Sequence, residues 1–319
     1  MSHFFTLVVT NEYPTKEILN QVMQPFHQYE CTGIEDQYVV DVDVTEKAKK
    51  DYQEYGKEKT FKDFLDGWYG ANQYSMIDGN VFVKTNPNYK WDWWMVGGRY
   101  TGILGLYNPK DNPKNWEKCF ICSGTGMRMD QIGINARQQN PNYTCNGCMG
   151  EGKSLKWSTE FEEYKGDICQ VKDVDFDALR AKNVEARFEM LKEFCSNGNI
   201  SLSELEHCLR VFQKEHDQYK KDSNVKWNQV TYSEKAIKYL KADVWRDLSD
   251  VKQSLVDWAN SASTLLSFAV NDNGKWLERG EMGWWGVVSN EDNCWEKEYG
   301  NFLKTLKPNQ YLTVVDCHI

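Results

Sequence analysis

The chain has 319 residues, 40% apolar and 14% aromatic with 13 Trp and 17 Tyr, a globular composition long enough for one large domain or two smaller ones. Its net charge of −9 and sequence pI near 5.2 argue against a general nucleic-acid binder, which needs a basic face. No run of about 18 apolar residues is present for a membrane span, and the opening Met1-Ser2-His3-Phe4-Phe5 has no basic n-region of a signal peptide.

The β-branched and aromatic residues 4–10, ending at Asn11-Glu12-Tyr13-Pro14, predict a first strand. Ile18, Val22 and Phe26 recur at spacings of four and predict a short helix. Residues 38–44 alternate apolar and acidic side chains as a half-exposed strand does. A charged helical stretch follows from Thr45, a plausible N-cap, to about Leu65. Residues 69–107 have strand-and-turn character and are rich in Trp and Gly. The Gly- and Asn-rich cysteine segment, from about Glu117 to Trp157, lacks apolar periodicity and cannot bury enough surface to fold unaided. From Asp175 the pattern is helical: Val184, Phe188, Leu191 and Cys195 form one stripe. Asn197-Gly198 breaks it, and Ser201-Leu202-Ser203-Glu204 resembles a capping box that opens a second helix. Together these predict an αα-hairpin that projects as an arm. Val244, Leu248, Val251, Leu255 and Trp258 predict a third helix; residues 264–270, 284–288 and 311–315 predict strands. Apolar strands at both ends suggest that the termini share one sheet. The expected fold is therefore α+β, a mixed or antiparallel platform built by both chain ends with an inserted zinc knuckle and a helical hairpin. The corresponding domains are 1–116, the N-terminal part of the platform; 117–157, the knuckle; 158–242, the arm; and 243–319, the C-terminal part of the platform.

Ten cysteines in a chain placed in a reducing cytoplasm point to metal ligands and buried thiols rather than disulfides. Cys119-Phe120-Ile121-Cys122-Ser123-Gly124-Thr125-Gly126 is a CxxCxGxG motif, and Cys145-Asn146-Gly147-Cys148-Met149-Gly150-Glu151-Gly152 is a second copy. Two thiolates two residues apart bite one ion because the chain folds into a knuckle, and the glycines permit positive φ and close backbone approach. Two knuckles make a closed Cys₄ site for one structural zinc, with no position left for a catalytic water. The motif resembles the zinc-binding region of DnaJ-type co-chaperones, which carries four copies forming two sites. This chain has two copies and no J-domain His-Pro-Asp tripeptide, so the resemblance implies a zinc module and not chaperone activity.

Residues 90–102, Lys90 to Gly102, form the densest unusual stretch. Trp91, Trp93, Trp94 and Arg99 around Gly97-Gly98 read either as a core strand and tight turn or as a pocket in which Arg99 binds phosphate and a ring stacks. Trp284-Trp285 is open to the same two readings. The opening Ser2-His3-Phe4-Phe5-Thr6-Leu7-Val8-Val9, the Lys90-Trp91-Asp92-Trp93-Trp94 to Gly97-Gly98-Arg99-Tyr100 motif, Asp173-Val174-Asp175-Phe176, and the ending Leu312-Thr313-Val314-Val315-Asp316-Cys317-His318-Ile319 resemble a largely uncharacterised family of phage and prophage proteins, over most of the chain. Many members lack the knuckles, so the resemblance implies an insertion between Tyr107 and Asp173. It further implies a role in countering host defence by sequestering a defence complex in the host cytoplasm; the Gabija anti-defence proteins, of similar size, are one specific family that this implies.

Catalytic patterns are weak. On a strand, Asp316 and His318 share a face while Cys317 points away. His207 and His216 lie nine residues apart on a helix and cannot chelate together, and His3 and His27 have no evident partner. Asp41 and Asp43 share a strand face that solvation explains. There is no P-loop, GxSxG elbow or HExxH motif. The expected function is a non-catalytic, oligomeric interaction protein that binds and inhibits a host protein complex; the alternative is a nucleotide- or phosphate-binding enzyme or sensor at the Trp and Gly-Gly-Arg motif.

Overall fold

The β-branched runs at the two ends of the chain become its longest strands and pair with each other. The structure, a computed structural model, describes residues 2–56, 58–71, 73–156, 166–221, 231–242, 248, 251–282, 287–292 and 294–319. In chain order the strands are β1 (His3–Thr10), β2 (Val40–Asp43), β3 (Tyr74–Ile77), β4 (Asn80–Thr85), β5 (Trp93–Val96), β6 (Trp116–Lys118), β7 (Lys153–Leu155), β8 (Ile168–Gln170), β9 (Ala269–Asp272), β10 (Lys275–Glu278), β11 (Glu281–Met282), β12 (Val288–Ser289) and β13 (Tyr311–His318). The helices are α1 (Lys16–Met23), α2 (Tyr29–Thr32), α3 (Thr45–Tyr55), α4 (Phe61–Leu65), α5 (Gln131–Gln139), α6 (Phe176–Gly198), α7 (Leu202–Lys221), α8 (Glu234–Ala242), α9 (Leu255–Asn260) and α10 (Trp295–Thr305). The fold is α+β, and the chain divides into two units, residues 1–174 with 267–319, and residues 175–266.

The first unit is organised on a sheet in the order β10-β9-β1-β13-β5, with β8 also paired to β13. β1 and β13 run antiparallel in register from His3 opposite His318 to Thr10 opposite Tyr311. Among the described residues β1–β9 is the one parallel pair of this sheet, so the sheet is mixed. Period-two alternation sends Phe4, Val8, Val315, Cys317, Trp94 and Val96 to one face, where α1 covers them with Leu19 and Met23. Thr15 caps α1 by accepting from the Ile18 N–H. A smaller sheet, β2-β4-β3, packs on α3 and α4 through Val81, Ala48, Phe64 and Leu65.

Three local expectations shift. The stretch Thr45–Leu65 is two helices, because α3 ends at Gly56 and Thr60 starts α4 by accepting from the Asp63 N–H. Val44, not Thr45, is the N-cap of α3; Thr45 sits inside the helix with its N–H and hydroxyl donated to Asp43. The strand expected over 264–270 begins at Ala269 and turns into β10 at Asn273-Gly274, both in the left-handed region. Of the strand expected over 284–288, residues 284–286 lie outside the described residues.

The helical unit has a core of its own. Asp175 caps α6 by accepting from the Ala178 N–H, and Asn199, at φ 48°, ends it. Ser201 accepts from the Glu204 N–H and starts α7. Leu191 and Phe194 of α6 meet Leu205, Leu209 and Phe212 of α7, and Tyr239 of α8 and Leu255 of α9 close over them. The hairpin is thus covered by two further helices rather than bare. Of the third predicted helix, residues 243–247 and 249–250 lie outside the described residues, and α9 forms its last part.

Candidate metal centre

The two cysteine motifs fold into the same shape and close on each other. Ser123 and Met149, each following the second cysteine of its copy, both have φ 51°; Gly124 and Gly150 have φ 87° and 90°, and Gly126 and Gly152 have φ 73° and 74°. The copies exchange backbone hydrogen bonds reciprocally: the Cys119 N–H donates to the Gly152 carbonyl at 3.0 Å, and the Cys145 N–H donates to the Gly126 carbonyl at 2.9 Å. A Cβ on Gly126 would run into the Gly150 carbonyl oxygen, and one on Gly152 into that of Gly124. The module therefore has a pseudo-twofold axis, and its glycines are needed for both conformation and approach. Strands β6 and β7 pair antiparallel at its base, with Lys153 Nζ 4.5 Å from the centroid of the Trp116 ring. Between the copies, Asp130 caps α5 and receives Arg128, whose other arm reaches the Asn146 side chain at 2.9 Å.

The axis brings Cys119, Cys122, Cys145 and Cys148 together, with every sulfur within 4.8 Å of the others and all four residues buried. The Cys119–Cys145 and Cys122–Cys148 sulfurs lie 3.9 and 3.6 Å apart. A tetrahedral ion with metal–sulfur bonds of about 2.3 Å sets its ligands about 3.8 Å apart, whereas a disulfide needs about 2.05 Å. The four thiols thus form a site that can hold one metal ion. Burial opposes ionisation of Cys122, but the Gly126 N–H, Cys148, the Gly124 N–H and Cys119 offset it and lower its pKa to about 6. Burial raises its neighbour Cys148 to about 11. The Gly152 N–H also reaches Cys148 Sγ at 3.2 Å. Such amide-to-sulfur contacts favour thiolate, the form that binds metal.

The tryptophans of the second motif are divided between two faces. Trp91 and Trp94 belong to the core under α1, and the Trp91 indole N–H donates to the Met23 carbonyl. Trp93 lies on the opposite face, stacked on His318 at 5.3 Å between ring centroids. The Gly-Gly-Arg turn does gather an anion, but it is the chain's own: the Arg99 backbone N–H donates to Asp316 at 2.9 Å, and a Cβ on Gly98 would collide with that carboxylate. The Arg99 side chain is exposed. Trp284 and Trp285 lie outside the described residues. A groove of about 700 Å³ runs beside β5, lined by Trp91, Trp93, Trp94, Leu19, Ile34 and Lys16 among others.

Four polar residues missed as a group come together on the Trp93 face. His3 Nδ1 lies 2.9 Å from Asp316, and His318 Nδ1 lies 2.6 Å from Asp92. The partners are 313 and 226 residues apart in sequence; the only signal was that both ends read as strands. His27 also has partners, Thr32 and Asp36. Cys317 points the other way, receiving the Thr6 hydroxyl. No helix among the described residues is long and apolar enough to cross a membrane. No family model matches the chain, and neither a curated protein nor a solved structure matches it.

Proposed function

We propose that the chain is a non-catalytic interaction protein whose knuckle module, held by one structural zinc, docks on a partner protein. Four thiolates in a closed tetrahedral set suit zinc and leave no open coordination position, which favours a structural over a catalytic ion. The carrying observation is the module's surface. Six of the twenty exposed large apolar side chains among the described residues lie between Phe120 and Met149, a stretch of thirty residues. Phe120 is 85% exposed and Met149 81%. The buried cluster here is the four cysteines with Ile121 packed against them, so these apolar groups do not serve the module's own interior. Exposed Met and Phe are the chemistry of adaptable protein-docking surfaces. The resemblance to phage accessory proteins supplies the class of partner, a host protein complex.

Elemental analysis of purified protein should give one zinc per chain. The double substitution Phe120→Asp with Met149→Asp should leave zinc content and melting temperature unchanged while recovery of host proteins falls at least tenfold. Recovery of the same host proteins in equal yield by the double variant would sink the docking role.

The groove beside β5 favours a second reading, a nucleotide- or phosphate-binding enzyme or sensor in which Lys16, at the groove, takes the cationic role expected of Arg99. Calorimetric titration with nucleotides, positive for the parent and lost in Lys16→Ala, would support it; no heat with the parent removes it.

A further inference from the structure

We propose that His3 and His318 form a second metal site, a cross-strand histidine pair that takes a divalent transition-metal ion with open coordination positions. The two residues are direct partners in the β1–β13 register, so their side chains leave the same face of the sheet side by side. Their ring centroids are 5.0 Å apart. An ion bound at about 2.1 Å by a ring nitrogen lies about 3.2 Å from the ring centroid, and two such rings at coordination angles of 90–109° stand about 4.5–5.3 Å apart. The observed pair already has that separation.

The ring planes stand 78° apart, and each ring carries the outer hydrogen bond that metal-binding histidines carry. Nδ1 of His3 faces Asp316, and Nδ1 of His318 faces Asp92. A carboxylate on one ring nitrogen fixes the tautomer that leaves a lone pair on the other, Nε2. Neither Nε2 has a partner among the described residues, and neither is among the buried polar atoms closed off from solvent. Charge favours a cation. Asp316 is fully buried and accepts from His3 and the Arg99 backbone N–H, and Asp92 faces His318. No Lys or Arg side chain reaches either carboxylate among the described residues, so the two acids beside the ring pair have no other cationic side chain against them. Trp93, stacked on His318 and edge-on to His3, walls the site on one side and lowers the local dielectric. Imidazole donors select zinc, copper, nickel and cobalt over magnesium or calcium. With two protein ligands, the remaining positions fall to water or to an anionic group brought by a ligand.

Full-length protein with its cysteine site filled by zinc, titrated with Co²⁺, tests the assignment. The expected result is one equivalent of bound cobalt, with a visible band but no sulfur-to-cobalt charge-transfer band in the near ultraviolet. His3→Gln and His318→Gln should each abolish it. Asp92→Asn, which keeps a hydrogen-bonding group on His318, should weaken it roughly 10–100-fold, and it carries the test should either glutamine variant fail to fold. Three results overturn the site: no cobalt bound by the parent, unchanged affinity in Asp92→Asn, or binding that survives His318→Gln, which would assign the cobalt to the N-terminal Met1-Ser2-His3 segment alone.

Discussion

In the central sheet, β1 and β13 each bury seven of eight residues, and Phe, Leu and Val make up most of that interior beside Thr6, Thr10, Thr313, Asp316, Cys317 and His318. Between Trp116 and Leu155, the buried cluster is four sulfurs with one isoleucine beside them. The sheet is held by apolar area, about 25 cal/mol for each Å² removed from water, spread over many residues. The module concentrates its stability in one coordination event. Cysteine shows the contrast most directly. In the sheet, burial pushes the thiols of Cys169, to about 12, and Cys317 upward, so they serve as small apolar fillers. In the module, amides aimed at sulfur pull Cys122 down. One residue type thus plays two roles, decided by its surroundings: apolar burial alone in the sheet, three neighbouring sulfurs and backbone N–H groups in the module.

The largest expected effect separates the two regions. Removing the metal with a strong chelator, or Cys145→Ser, should cost the module most of an apparent binding free energy of roughly 10–16 kcal/mol. Amide exchange over residues 116–155 should accelerate toward the unfolded rate while β1 and β13 amides keep their protection. Loss of protection throughout the sheet would show that the two regions are not independent. The converse is Leu7→Ala. Leu7 is fully buried opposite Val314, and its truncation should cost about 2–5 kcal/mol. Chemical denaturation should register that loss with zinc stoichiometry unchanged; a fall in bound zinc would again break the comparison.

Sequence patterns carried the two ends of this comparison unequally. The platform was legible because eight-residue β-branched runs bury both faces, and the ligand set because its spacing repeats. The pseudo-twofold exchange between Cys119 and Gly152 and between Cys145 and Gly126 was not, since reciprocal backbone bonds leave no mark beyond the shared glycines. The aspartate in the Gly-Gly-Arg turn was also hidden. Asp316 comes from the far end of the chain, and nothing local distinguishes a nest for an internal carboxylate from one for a ligand phosphate. The Thr264–Val270 run drew the strand several residues too early, and the Asn273-Gly274 pair that turns β9 into β10 went unread.

The pseudo-symmetry gives a sharper, smaller effect. Gly126→Ala and Gly152→Ala should weaken zinc binding by nearly equal amounts, about 2–3 kcal/mol each, because each adds left-handed strain and a clash with the other copy's carbonyl. Gly274→Ala, at φ 92° with no atom within 4 Å of the added Cβ, incurs the strain alone and should cost about 1 kcal/mol of sheet stability with no change in zinc affinity. Competition with a chromophoric chelator measures the first pair. Unequal losses would mean that the two copies are not mechanically equivalent.

The smallest effect lies at the seam where the cysteine excursion leaves and rejoins the sheet. A Cβ on Gly166 would press against Tyr107, and next to it Asp167 accepts from the Thr101 hydroxyl and the Gly102 N–H. Burial raises the Asp167 carboxyl above its ordinary value of 3.8, against those two donors, which favour the carboxylate. The folded state therefore holds this proton more tightly than the unfolded chain does. The stability that it contributes is complete below the unfolded value and is lost as pH rises through the higher folded one. Asp167→Asn keeps an acceptor for the Gly102 N–H and removes the titration. The difference between parent and variant should favour the parent at the acid end and move toward the variant as pH rises, read from urea midpoints with zinc content checked at each pH. Parallel profiles would mean that Asp167 is hydrated in the folded protein, and the seam would then be a looser join than its hydrogen bonds imply.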